Sequence, residues 1–194
     1  MTKYILHGGV TREENKLNHD FFSEIAGSLD DGDSLLLCYF APSMKRDYPE
    51  KEKFVNGVKQ FERYMNGKKV TYVFAEREDF MRQLKKAEAI YVHGGDTIKL
   101  LEDLKKYPEF PEEIRKKKLV VGSSAGAYVL AKYFINYSHE NDVKQGFGIL
   151  PIKIFCHFKD EQGELLEEKF RKADEAGELE TVLLRDFEMK IFGK

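Results

Sequence analysis

Leu119-Val120-Val121-Gly122-Ser123-Ser124-Ala125-Gly126-Ala127 is an apolar run that breaks at a Gly-x-Ser-x-Gly turn and continues into Tyr128-Val129-Leu130-Ala131-Lys132, which can be helical. The spacing predicts a strand, a very tight turn and a helix, the pattern of a nucleophile elbow. Strand and helix backbones approach closely there, so the flanking positions must be small, as Gly122 and Gly126 are. Ser124 is then pushed out at the strand tip, and the Ala125 N–H falls at a helix start, where it can stabilise an oxyanion. An ordinary turn with small residues for packing is what the motif alone leaves open.

Outward from this stretch, short apolar runs alternate with amphipathic ones. Tyr4-Ile5-Leu6-His7, Ser34 to Phe40, Val70 to Phe74 and Ala89-Ile90-Tyr91-Val92-His93 are near-continuously apolar. That is the expectation for strands covered on both faces. Helical faces are expected around Phe21-Phe22-Ile25, Phe54-Val58-Phe61, Phe80-Leu84 and Leu100-Leu101-Leu104. The alternation predicts an α/β fold: a flavodoxin-like three-layer sandwich with a mostly parallel sheet and the elbow after the fifth strand. Residues 1–194 are expected to form one domain. In such a sheet the site lies beyond the carboxyl ends of the strands. Gly8-Gly9, Gly94-Gly95-Asp96-Thr97 and the Ser124 turn all fall there.

Composition narrows the partners. Charged residues make up 34% of the chain, but the signs are interspersed and the net charge is −2. No one-sided basic face is expected, so neither nucleic acid nor a membrane surface is an expected partner. Cys38 and Cys156 lie far apart in apolar segments, which reads as buried free thiols and a cytoplasmic protein. The N-terminus lacks the apolar core of a secretory leader. Cys-x-x-Cys, His-x-His, His-Glu-x-x-His and phosphate-loop patterns are absent, so no metal and no cofactor are expected. A monomer or homodimer is expected.

A serine hydroxyl needs a base in reach and a group to orient that base. His157 ends the run from Ile152 to Phe158 and should sit at a strand's end, a rigid platform. His7 and His93 read as strand-end packing residues, His19 as a solvated helix face, and His139 lies in a polar loop. The orienting acid is sought in the loop between Ser124 and His157: Asp142 first, Glu140 second. Gly95 is the expected second oxyanion donor beside Ala125, with Gly94 next to it. Asp96 or Thr97 should cap the following helix.

His93-Gly94-Gly95-Asp96-Thr97-Ile98-Lys99-Leu100-Leu101 resembles the Gly-Gly-Gly-Asn-Thr-x-x-Leu-Leu segment of the aspartyl dipeptidase (peptidase E) and cyanophycinase family of serine peptidases. Gly122 to Ala127 is similar to that family's Gly-x-Ser-Ala-Gly-Ala elbow. Gly146-Phe147-Gly148-Ile149-Leu150-Pro151 with His157-Phe158 looks like its Gly-Leu-Gly-Leu-Leu-Pro…Pro-His-Phe stretch. The resemblance implies a class I glutamine amidotransferase-like fold, with Ser124 as nucleophile, His157 as base, Asp142 as orienting acid, and Gly95 and Ala125 as oxyanion donors. Gly94 and Asp96 fall in its substrate-binding segment. It implies short peptide substrates, among them dipeptides with an N-terminal acidic residue. The family's Arg-x-x-Arg pattern after the histidine is not kept, and Lys169 or Arg171 would have to replace it. Two rival expectations are a small serine esterase and a catalytically silent amidotransferase-like binding domain.

Overall fold

The computed structural model describes residues 1–42, 48–136, 142–173 and 179–193. Five parallel strands and one antiparallel edge strand form the main sheet. They are β1 (Lys3–His7), β2 (Ser34–Cys38), β3 (Thr71–Phe74), β4 (Ala89–Val92), β5 (Leu119–Ser123) and, from the C-terminal region, β10 (Met189–Phe192), in the order β10-β1-β5-β4-β2-β3. Alternation of side chains along each strand sorts the apolar runs into two cores. Leu6, Leu36, Ile90 and Val120 face one side. Ile5, Leu35, Leu37 and Val121 face the other.

Helices α1 (Lys16–Ser28) and α2 (Glu50–Glu62) cover the second face through Phe21, Phe22, Ile25 and Phe61. Helices α3 (Phe80–Lys86), α4 (Thr97–Lys105), α5 (Phe110–Ile114) and α6 (Ala125–Leu130) cover the first through Leu84, Leu100, Leu104, Phe110 and Val129. Two-sided burial is why these strands need no polar alternation. The expected three-layer α/β sandwich with a mostly parallel sheet is therefore what the chain forms.

Three features differ from the sequence reading. Ala131-Lys132 are not helical: α6 ends at Leu130, and Ala131 turns extended at φ −74°, ψ 163° to open β6 (Ala131–Ile135). Phe134 and Ile135 then bury on opposite faces, which a strand allows and a continuing helix would not. A second sheet follows, with β7 (Val143–Gln145), β8 (Leu150–Cys156) and β9 (Glu180–Leu184) in the order β7-β6-β8-β9. Helix α7 (Gly163–Ala173) packs on its outer face through Leu166 and Phe170 against Ile135 and Phe155. The C-terminal segment, which the sequence reading assigned to no strand, divides between the two: β9 joins this second sheet and β10 joins the first.

Candidate active site

The turn after β5 is as tight as its sequence demands. A Cβ on Gly126 would stand 2.0 Å from the Val92 carbonyl oxygen, and one on Gly122 2.6 Å from the Gly126 oxygen. Ser124 is held at φ 50°, ψ −109°, and its N–H donates to the His7 carbonyl at 2.9 Å. This conformation costs a non-glycine residue about 1–3 kcal/mol and persists only where surrounding structure enforces it. Val10, His157 and Phe187 also have positive φ, of 59°, 60° and 70°. Val10 and His157 line the same cleft as Ser124, and Phe187 is bonded to Gly9 beside them, while Asn66, at φ 49°, lies apart in the turn after α2.

Ser124 Oγ lies 2.9 Å from His157 Nε2, and His157 Nδ1 lies 2.5 Å from Asp186 Oδ1. A carboxylate accepts only, so the proton sits on Nδ1 and the Nε2 lone pair is left for the serine hydroxyl. The two partners come from the second sheet. His157 is the first residue beyond β8, and Asp186 is the second beyond β9. The parallel register Cys156↔Leu184 sets those two ends side by side. Phe158 N–H donates to Leu184 O at 3.0 Å and locks them. The sheets are joined at this point by Tyr128 of α6. Its hydroxyl donates to Cys156 O at 3.1 Å and accepts the Cys156 N–H at 2.9 Å.

Asp142 does not hold the histidine. It precedes β7, which pairs with β6 on the side away from β8, so two strand spacings, about 10 Å, separate it from His157. Asp142 is exposed. Glu140 and His139 lie outside the described residues. The Asp96 carboxylate caps α4, as expected, accepting from Ile98 N–H and Lys99 N–H at 3.0 and 3.1 Å.

Ser124 and His157 open onto a cleft of about 530 Å³ that Gly94, Gly95, His93, Thr11, Arg12, Glu13 and Lys53 also line. Gly94 is against Ser124, since a Cβ there would be 3.1 Å from Ser124 Cβ. An inner chamber of about 170 Å³ adjoins it, walled by Tyr39, Tyr91, Asn56 and Gln60 and sharing Thr11, Arg12, Lys53 and His93 with the cleft. Lys53 is 4% exposed. Its ammonium donates to the Ala41 carbonyl at 3.1 Å. Burial pulls its pKa below the usual lysine range, and Arg12 adds to that, while Glu50 opposes. Burial brings His93 down to about 4, so this imidazole is neutral at physiological pH. Arg171 lines a different groove, on α7 and β8, and neither it nor Lys169 lines the cleft.

Both cysteines are free and buried. Burial pushes Cys38 up to about 12 and Cys156 higher still, so neither supplies a thiolate to compete with the serine. Among the described residues no group of three or more His, Cys, Asp or Glu is placed to hold a metal. No helix among them is long and apolar enough to cross a membrane.

Sequence reasoning passed over Asp186, Arg12 and Lys53. Asp186 does carry a signal: it follows the apolar run Thr181-Val182-Leu183-Leu184, as His157 follows its own. Lys53 carries none, because a lysine in a charged amphipathic helix gives no sign of facing inward.

The model of peptidase family S51 matches residues 5–189. Among solved structures, a peptidase from an acI-B1 Actinobacterium superposes with a TM-score of 0.66 at 18% identity, covering 98% of this chain and 83% of the other. A putative peptidase E protein from Listeria monocytogenes EGD-e gives a TM-score of 0.66 at 16% identity, covering 100% and 98%. These likenesses share the class I glutamine amidotransferase-like fold. No curated protein gives a significant match. With its family matched from the first strand to the last, the chain belongs to peptidase family S51 and is a serine peptidase.

Proposed function

We propose that the protein hydrolyses short peptides through an acyl-enzyme on Ser124, with His157 as general base and acid and Asp186 as the orienting carboxylate. The observation that carries this reading is the unbroken chain from Ser124 Oγ through His157 to Asp186, at 2.9 and 2.5 Å. Ser124 Oγ attacks the scissile carbonyl while His157 Nε2 takes its proton and then returns it to the leaving amine. Water enters by the reverse sequence and releases the acid product. Asp186 keeps Nδ1 protonated and stabilises the imidazolium formed at each step. The N–H groups of Ala125 and Gly95 are the proposed donors to the oxyanion.

The substrate side chain on the acyl side is acidic in this proposal. Arg12 and Lys53 line the cleft against one carboxylate, Glu13. The Lys53 ammonium, shielded from water and bonded to a single carbonyl, gains most from a carboxylate that replaces lost solvation.

The test is a dipeptide panel varied only in its first residue. Ser124→Ala should lower every rate by at least about 10⁴-fold. Lys53→Met should lower kcat/KM for acidic first residues by about 10–100-fold and leave neutral ones within threefold. Arg171→Ala should change neither. Full activity of Ser124→Ala would dispose of the mechanism, and an unchanged acidic preference in Lys53→Met would dispose of the specificity.

A further inference from the structure

The Gly8-Gly9 turn after β1 lies against the His157 ring and is bonded to the loop that carries Asp186. Gly9, at φ +121°, lies against the His157 imidazole: a Cβ there would be 2.3 Å from Cε1 and 2.8 Å from Nε2. Gly8 N–H donates to Glu188 O at 2.8 Å, and Phe187 N–H donates to Gly9 O at 3.2 Å. The turn is thus bonded to the loop that carries Asp186.

His7 holds this turn from the inside. Its side chain is fully buried, with its ring centroid 4.2 Å from that of Phe21. Its Nδ1 accepts the Gly9 N–H at 3.1 Å, and its backbone carbonyl accepts the Ser124 N–H at 2.9 Å. With Nδ1 accepting, the ring proton belongs on Nε2, and the Asn18 side chain lies beside the ring. Nε2 and Asn18 Oδ1 are both buried, and neither makes a hydrogen bond of ordinary geometry. Asn18 Nδ2 donates to Val10 O and Glu13 O, which turns that oxygen toward His7 and fixes the following loop. Burial is the main reason this imidazole stays neutral, with a pKa brought down to about 4. The His157 ring adds to the lowering, while Asn18, the Phe187 backbone and Asp186 pull the other way. A protonated ring would present a second N–H to the Gly9 N–H.

We propose that His7 is a positioning residue: its Nδ1 acceptor keeps the Gly9 backbone on the His157 ring and so keeps that ring aligned between Ser124 and Asp186. This rests on the reading of Ser124 and His157 as nucleophile and base. Misplacing a reacting group by about 1 Å costs up to about 100-fold in rate, so the effect should appear in turnover more than in substrate binding.

The test uses three variants of the full chain. In His7→Asn the side-chain oxygen takes the place of Nδ1, whereas His7→Gln and His7→Leu leave that place without an acceptor. A fluorophosphonate is the probe, and its rate of adduct formation on Ser124 is measured. His7→Gln and His7→Leu should label about 30-fold more slowly than wild type, and His7→Asn within about threefold. For the best dipeptide substrate kcat should follow the same order, with KM moving less than threefold. The downfield ¹H resonance of the proton shared by His157 and Asp186 should persist in wild type and His7→Asn and be lost in the other two. If His7→Leu does not fold, the contrast between Gln and Asn decides. Equal labelling rates across the variants, whether fast or slow, would overturn the assignment. Absence of labelling in the wild-type protein would instead strike the parent reading, and it is visible without any His7 variant.

Discussion

The Ser124 elbow and the His157–Asp186 pair meet at 2.9 Å, yet they are built in opposite ways. The elbow is made by consecutive residues, from Leu119 to Ala127, with Gly122, Ala125, Gly126 and Ala127 all buried. The pair joins residues 29 positions apart, from the ends of two different strands, with both side chains nearly half exposed at 44% and 45%. Local strain fixes Ser124, whereas strand register fixes His157 and Asp186. Tyr128 is where the two constructions are pinned together, since it sits in the elbow helix and clamps the residue before His157. Placing a nucleophile takes a few residues of the right size. Activating it takes agreement between distant parts of the chain.

The widest break in that comparison would come from the acid. Asp186→Asn should keep the fold and lower kcat by about 10³–10⁴-fold, because an amide in place of the carboxylate can stabilise the wrong imidazole tautomer. Asp142→Asn should stay within about twofold of wild type. The reverse order of effects, measured on one dipeptide, would show that the register of β8 and β9 does not supply the orienting group.

A smaller effect separates the buried side of the site from its exposed side. The buried His7 has a pKa of about 4 in the folded chain against an ordinary 6.5. Between those values the unfolded chain binds the extra proton. The stability linked to His7 is therefore fully present above about pH 6.5 and lost as pH falls toward 4. Between pH 7 and pH 5 the loss is about 2 kcal/mol. Urea unfolding at the two pH values should show it, and His7→Asn should flatten the difference by about that amount. An equally steep loss in His7→Asn would mean that other groups carry the dependence.

The same contrast explains what could be read from the chain before its structure. The elbow, the parallel strands and His157 at a strand's end were legible because each is written in a contiguous run of residue types. Ala131-Lys132 misled because a segment of Tyr, Val, Leu and Ala fits a helix or a buried strand until its partners are known. Asp186 was overlooked because nothing near it in sequence says that β9 lies beside β8. Arg12 and Lys53 were missed for the same reason. One follows the β1 turn, the other lies inside α2, and only the folded sheet brings them to one cleft.

Reaction of the folded wild-type protein with a fluorophosphonate, followed by mass mapping of the adduct, tests the central claim most directly. The expected result is a single adduct on Ser124, formed at least about 10²-fold faster than in His157→Gln, because the hydroxyl reacts only when its proton can pass to the imidazole. An adduct on another residue, or labelling of Ser124 that is indifferent to His157, would contradict the account.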